Sequence, residues 1–305
     1  MTESITNFFS TVLFNTSFQL APVYVISFCV IAWVVYRMRY TGRGFWKWLF
    51  PRDVYLHKSG SIDVMLFSLG QLLVYLGVAT RLAAVPAMAA YVANIMPVAP
   101  LEQIQFSPVG LALLLLVSSD FALYWAHRLH HTIKTLWPLH AVHHSAEVLT
   151  PLTAFRQHPL SGVLGIAINT FIVGTIYGVL VGTFAPDMTL AEIAGVNAFV
   201  VVANLTVTNF QHSHIWISFG PVVERIFISP AQHQVHHSTK PEHFNKNFGQ
   251  TLAIWDWMFG SLYITGEDEQ VTFGLEGQAD ASLMTQCLWP MLWDPVRRML
   301  TPGGS

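Results

Sequence analysis

Four stretches of this chain stay apolar for as long as a bilayer is thick, and no other feature limits its fold so strongly. A membrane-crossing helix needs about 17 to 25 predominantly apolar residues. Residues 20–36 and 64–80 hold no charged side chain, 109–126 hold only Asp120, and 160–184 form a fourth run. A fifth, 193–207, is interrupted by Asn197 and Asn204. Residues 82–101 are as apolar but carry Pro86, Pro97 and Pro100, which reads as an interfacial or re-entrant hairpin. The chain is 53% hydrophobic and 10% charged, where a soluble domain carries about a quarter charged residues. The surplus apolar surface must face lipid. The expected fold is therefore an all-α polytopic membrane bundle of four to five spans, and 15 Lys and Arg in 305 residues exclude a nucleic-acid partner.

Short cytoplasmic loops are enriched in Lys and Arg. Arg37, Arg39, Arg43, Lys47, Arg52 and Lys58 follow the first run directly, and Arg81 ends the second. Arg128, Lys134 and Arg156 lie between the third and fourth, and five more basic residues follow the fifth. Five spans with the N-terminus outside put 14 of the 15 basic residues in the cytoplasm. The chain then reads as a single membrane domain over 1–305, with its histidine-rich region at 120–265 and a cytoplasmic tail at 266–305. The membrane would be the inner membrane of a bacterium or the endoplasmic reticulum of a eukaryote. No sequence signature specifies an oligomeric state.

Fourteen histidines give the second constraint. The pattern H-x-x-H-H occurs three times: His127, His130, His131; His140, His143, His144; and His233, His236, His237. At this histidine frequency about 0.03 such patterns are expected by chance, so the boxes exist for chemistry. On a helix, residues three and four apart share a face, so His140, His143 and His144 present their rings to one point, as do His233, His236 and His237; His127 and His131 pair likewise. Neutral imidazole is the commonest metal ligand. These eight, with His212 and His214 of "QHSH", exceed what one zinc ion takes, so two metal ions are implied, and open positions on nitrogen-bound iron suit oxygen chemistry. His130 and His158 are further candidates. All lie at the cytoplasmic ends of the spans, where a lipid substrate and dioxygen can both arrive. Asp120, two helical turns before His127, is expected to orient a ligand ring or Arg128.

The segments "DFALYWAHRLHH", "LWPLHAVHHS", "TAFRQHP", "NFQHSHI" and "SPAQHQVHHSTKPEHFNKNFGQTLAIWDWMFGSLY" resemble the fatty acid hydroxylase and sterol desaturase superfamily. The resemblance covers about half of the chain. It implies a cytoplasmic helical cap holding a non-haem di-iron centre on His127, His131, His140, His143, His144, His233, His236 and His237. His212 resembles the family's additional histidine, His158 lies in a family-like "RQHP", and His214 stands where many relatives have asparagine. The implied activity is oxidation by dioxygen of an unactivated C–H bond, as hydroxylation or desaturation, in a fatty acyl lipid, sterol or carotenoid. With no nucleotide fingerprint or fused cytochrome pattern in the sequence, a separate electron-donor protein is expected. Two other readings stand beside it. A zinc-dependent membrane hydrolase lacks its H-E-x-x-H, and a metal transporter or sensor would place ligands at the bilayer midplane. Zinc can also replace iron on purification, since the divalent affinity order favours it.

Overall fold

Hydrogen-bonded helices account for nearly all regular structure in the computed structural model, which describes residues 19–39, 42–78, 84–96, 107–184 and 198–301. Only two isolated β-bridges occur among them, Phe227 with Leu252 and Ser238 with Phe273. The principal helices are α1 (Pro22–Arg39), α2 (Lys58–Tyr75), α3 (Val85–Ile95), α4 (Pro108–Thr132), α5 (Trp137–His144), α6 (Pro159–Phe184), α7 (Ala198–Thr206), α8 (Pro230–His236) and α9 (Leu288–Leu300).

Two described helices are long and apolar enough to cross a membrane: α1, and α6 over Pro159–Leu180. Only 17% and 22% of their apolar windows are buried, whereas a soluble core helix would hide most of its apolar surface. The other expected spans need adjustment. The run at 64–80 becomes α2, which starts earlier, includes Lys58 and Asp63, and ends at Tyr75; residues 79–83 lie outside the described set. The run at 109–126 becomes the first five turns of α4, which continues to Thr132 and carries His127, His130 and His131 with it. Its start is set by Ser107, whose hydroxyl accepts from Gly110 N at 3.1 Å ahead of Pro108. Of the run at 193–207, residues 193–197 lie outside the described set; the rest is α7, which breaks at Val207 before the single turn Thr208–Gln211.

Within the stretch 82–101 read as a hairpin, the described residues form one 11-residue helix, α3, with Pro86 in its first turn, where a missing N–H costs nothing; residues 82–83 and 97–101, with Pro97 and Pro100, lie outside the described set. Helix α3 packs lengthwise against α6. The contact is possible because α6 presents Gly174 and Gly178: a Cβ on Gly174 would sit 2.7 Å from Met88 Cβ, and one on Gly178 would meet the Ala89 carbonyl at 2.6 Å. Small residues four apart let apolar helices approach closely in lipid, where backbone packing replaces the hydrophobic effect.

The cap is held to these helices by a buried ion pair. Arg156 is fully buried and paired with Asp63 of α2 at 3.0 Å. It also donates to the carbonyls of Val142 (2.9 Å) and Ser145 (3.2 Å), to the Ser59 carbonyl (3.1 Å) and to Gln286 Oε1 (2.7 Å). One guanidinium thus ties together α2, the C-terminal carbonyls of α5 and the chain before α9. The stretch expected as a tail is part of this core, since Leu283 and Met291 pack with Ile62, Leu66, Ala141 and Val142.

Candidate metal centre

Nine histidines converge below the helix ends in two groups, His127, His131, His140, His144 and His236 in one and His143, His212, His233 and His237 in the other; within each, the ligand atoms lie within 4.8 Å of one another. No carboxylate or cysteine belongs to either group. His127 and His131 are half-buried and the other seven buried.

The elements that carry them follow from local sequence. Helix α8 opens with a capping box: the Ser229 hydroxyl accepts from Gln232 N while the Gln232 side chain accepts from Ser229 N, with Pro230 at the first helical position. The H-x-x-H-H boxes then do something the spacing argument missed. Their three rings do not meet at one point: the second and third boxes are split between the groups, and the first gives His127 and His131 to the group of five while His130 joins neither. At about 100° per residue, positions i and i+4 lie near one another while i+3 lies on the far side of i. In α5 the pair His140 and His144 joins the five-histidine group and His143 the other; in the last box the pair His233 and His237 joins the four-histidine group and His236 the first.

Ring tautomers are fixed by the backbone. His127 Nδ1 donates to the Phe248 carbonyl at 2.8 Å, and His236 Nδ1 to the Lys246 carbonyl at 2.7 Å. A ring that donates from Nδ1 keeps its lone pair on Nε2. The acceptor strand is bent to reach both rings: Asn245 and Asn247 adopt left-handed backbone (φ 58° and 55°). Asn247 ties the bend down by donating to the Gln232 carbonyl and accepting from Tyr263 N. Behind it, buried Asp256 accepts from Phe248 N (2.8 Å), Gly249 N (2.7 Å) and the Ser261 hydroxyl (2.6 Å). Gly249 is required there, for a Cβ would lie 2.9 Å from that carboxylate.

The free nitrogens test whether metal fits. Nε2 of His127, His131, His140, His144 and His236 are all buried without a hydrogen-bond partner. Five orphaned acceptors in one place would be costly unless something binds them. In the other group Nε2 of His143, His233 and His237 lie 3.2, 3.0 and 3.2 Å from His212 Nε2. A ring nitrogen has one proton or one lone pair, so His212 can satisfy only one of the three. Donors about 2.0–2.1 Å from a shared cation would be about 2.9–3.3 Å apart, the spacing observed here. Burial pushes all nine rings below the ordinary imidazole pKa, with neighbouring imidazoles adding to this at most of them, His143 to about 3 and His236 to about 4. They are neutral at pH 7, the state a ligand needs. The residues fit two nitrogen-bound metal ions.

The remaining candidates stand apart. His130 spends Nδ1 on the Ala126 carbonyl (2.7 Å) and Nε2 on the Ser161 hydroxyl (3.1 Å). His158 accepts from Leu160 N and donates from Nε2 to the Leu292 carbonyl (3.0 Å), and His214 Nε2 donates to the Trp48 carbonyl (3.0 Å). None belongs to either group. Asp120 differs from its expected role as well. It accepts from Thr251 N, Leu252 N and the Trp255 indole, touching no ligand ring and not Arg128, so it locks α4 to the loop behind the site. A carboxylate two turns from a ligand shares its face but sits about 10 Å away along the axis, and here a loop supplies backbone N–H groups for it to accept from. Arg156 and Asp256 went unrecognised from spacing alone, since Arg156 joins side chains and carbonyls of several separate segments and Asp256 accepts chiefly from backbone N–H groups.

Every one of the nine rings lines one of two cavities. His131, His144, His236 and His237 face a cavity of about 380 Å³ with Lys134, Glu276 and Asp280 on its walls. His127, His140, His143, His212 and His233 face one of about 310 Å³, walled by Leu123 and Ala126 of α4 and by Ser161 and Gly165 of α6. The histidines form a partition between a chamber with charged residues on its walls and one walled by α4, α6 and several glutamines.

The family model for fatty acid hydroxylase matches residues 112–261, the stretch containing all nine rings, Asp120 and Asp256. Over these residues the chain matches the fatty acid hydroxylase family. Its relatives in this family include the ornithine lipid hydroxylase OlsE of Rhizobium tropici, 30% identical over 175 residues that cover 57% of this chain and 48% of that protein. The alkylglycerol monooxygenases of Xenopus tropicalis and Homo sapiens are each 31% identical, over 51% of this chain and 31% of theirs. The chain thus spans about half the length of the first and about a third of the others. No solved structure matches it.

Proposed function

We propose that this chain is a dioxygen-dependent lipid hydroxylase, embedded in a membrane with its histidine cap in the cytoplasm, that holds two iron ions on the nine histidines. The observation that carries the reading is the pair of all-imidazole groups, one with five Nε2 atoms unspent and the other with three Nε2 atoms crowded on His212 Nε2. The names of the relatives, an ornithine lipid hydroxylase and alkylglycerol monooxygenases, support lipid as the substrate class.

Bound iron would supply dioxygen activation and cleavage of an unactivated C–H bond, chemistry that side chains alone do not perform. His127, His131, His140, His144 and His236 would hold one ion, and His143, His212, His233 and His237 the other. The Phe248 and Lys246 carbonyls keep protons on Nδ1 of His127 and His236, which turns their Nε2 lone pairs inward, and Asp256 steadies the Phe248 peptide from behind. Leu123, Ala126 and Gly165 form the apolar part of the cavity through which a chain would reach the histidines. A separate electron-donor protein would approach from the opposite face, where Lys134, Glu276 and Asp280 line the polar chamber.

The test is to incubate the iron-loaded protein with a chemical or enzymatic reductant, isotopically labelled dioxygen and membrane lipid, and to follow lipid mass. Gain of one labelled oxygen atom, absent with His143→Ala, is the expected result; unlabelled product or none refutes the reading.

A further inference from the structure

The cavity on the membrane side of the histidines has a neighbour that touches none of them. It measures about 430 Å³ and lies between α1, residues 50–61, the start of α2 and the turn at Pro151–Phe155, with Val25, Phe28, Leu56, Val64 and Leu152 on its walls. The partition between the two cavities is thin, because three separate segments line both within two residues. Gln19 faces the histidine cavity and Leu20 the neighbour; Thr208 the first and Asn209 the second; Ala154 the first and Leu152 the second. At the partition, Gln19 Nε2 donates to Asn209 Oδ1 at 3.1 Å while Asn209 Nδ2 donates to the Gln19 carbonyl at 3.2 Å. Each amide nitrogen carries two hydrogens, so each keeps one N–H beyond this clasp.

An apolar slot and a histidine-lined slot that meet at a small amide bridge match a molecule with two chains and a polar linkage between them. We propose that the substrate is a two-chain lipid that straddles the Gln19–Asn209 clasp. One chain enters the cavity beside the histidines. The other lies against Val25, Leu56 and Val64, and the oxygen-bearing linkage between them rests on the spare amide N–H groups. That the first chain is the one oxidised rests on the hydroxylase reading above; the seating of both chains does not.

Two glycines allow each slot to be closed separately. A Cβ added at Gly60, on the neighbouring cavity, or at Gly165, on the histidine cavity, meets no atom within 4 Å. Leucine at either helical position therefore grows into open space and improves helix propensity. The probe is a diacylglycerophospholipid carrying a photoreactive diazirine on each acyl chain, reconstituted with the full-length protein in bilayer discs. One lipid molecule is expected to join a peptide containing residues 50–64 to one containing residues 154–165. Gly60→Leu should cut the first attachment at least tenfold and spare the second, and Gly165→Leu the reverse; Ser61→Leu replaces Gly60→Leu should that variant fail to fold. Attachment at 154–165 alone, attachment at 50–64 that survives Gly60→Leu and Ser61→Leu, or no attachment at either place overturns the proposal. Labelling needs no turnover, so a protein that oxidises no lipid refutes the hydroxylase while leaving this result readable.

Discussion

The two histidine groups are built from the same side chain yet differ in construction. The group of five takes the i, i+4 pair of the first box, an i, i+4 pair from the second and a single ring from the third; its Nε2 atoms make no hydrogen bond, and two of its rings are half-buried. The group of four takes the i, i+4 pair from the third box and a single ring from the second, and is closed by His212 from a loop, with Nε2 atoms 3.0–3.2 Å apart. The second and third boxes thus contribute pair and single in opposite sense. One helical repeat, used in two helices, would serve two ions, and only the first box contributes to a single group.

The difference makes the groups unequal under mutation, and the largest effect should fall where ligands are fewest. His143→Ala leaves three histidines in its group, whereas His236→Ala leaves four in the other. Each variant is expected to lose at least a hundredfold in turnover, but His143→Ala should lose close to one metal ion per chain and His236→Ala distinctly less. Metal content per chain decides this, and equal losses would break the comparison. Next comes the tie that holds the second box. Arg156→Met leaves Asp63 buried without its partner, a change that costs about 3–5 kcal/mol. The expected result is a large drop in melting temperature with metal lost from both groups, because Arg156 bonds to the carbonyls of Val142 and Ser145 on either side of His143 and His144.

How much of this was legible beforehand follows from what spacing can report. Box spacing identified the rings, because three and four residues along a helix is a local relation that sequence records directly. It did not reveal the split of His143 from His140 and His144, since that depends on what each side of the helix faces. Nor did it announce Phe248 and Lys246, whose side-chain identities are irrelevant to their carbonyls. Asn245 and Asn247, two residues tolerant of left-handed backbone on either side of Lys246, were the available signal for that bend. In the membrane helices the charge-free runs marked α1 and α6 well. The seating of α3 on Gly174 and Gly178 of α6 was not legible in the run at 82–101, because those glycines lie almost ninety positions away in the chain.

Smaller effects sharpen the comparison further. The nine rings have pKa values lowered by burial, while unfolded histidine titrates near about 6.5. Below that pH the unfolded chain takes up protons that the folded, metal-free cap refuses, so stability falls with pH from about 6.5 downward and is flat above it. Melting curves of chelator-treated protein at several pH values test this, and a melting temperature that rises on acidification contradicts it. Asp120→Asn should cost about 1–3 kcal/mol by disturbing its bonds to Thr251, Leu252 and Trp255, with both metal ions retained. The smallest change is expected from His130→Ala, whose ring nitrogens are bonded to Ala126 and Ser161 outside both groups; its metal content should equal that of the unaltered chain.

The central claim is that these nine histidines hold two ions. Elemental analysis per chain, on protein made in iron-supplemented medium and purified without oxygen, tests it directly with His143→Ala alongside. The account predicts two irons per chain, falling to about one in the variant. One ion or none, or a content indifferent to His143, would contradict it.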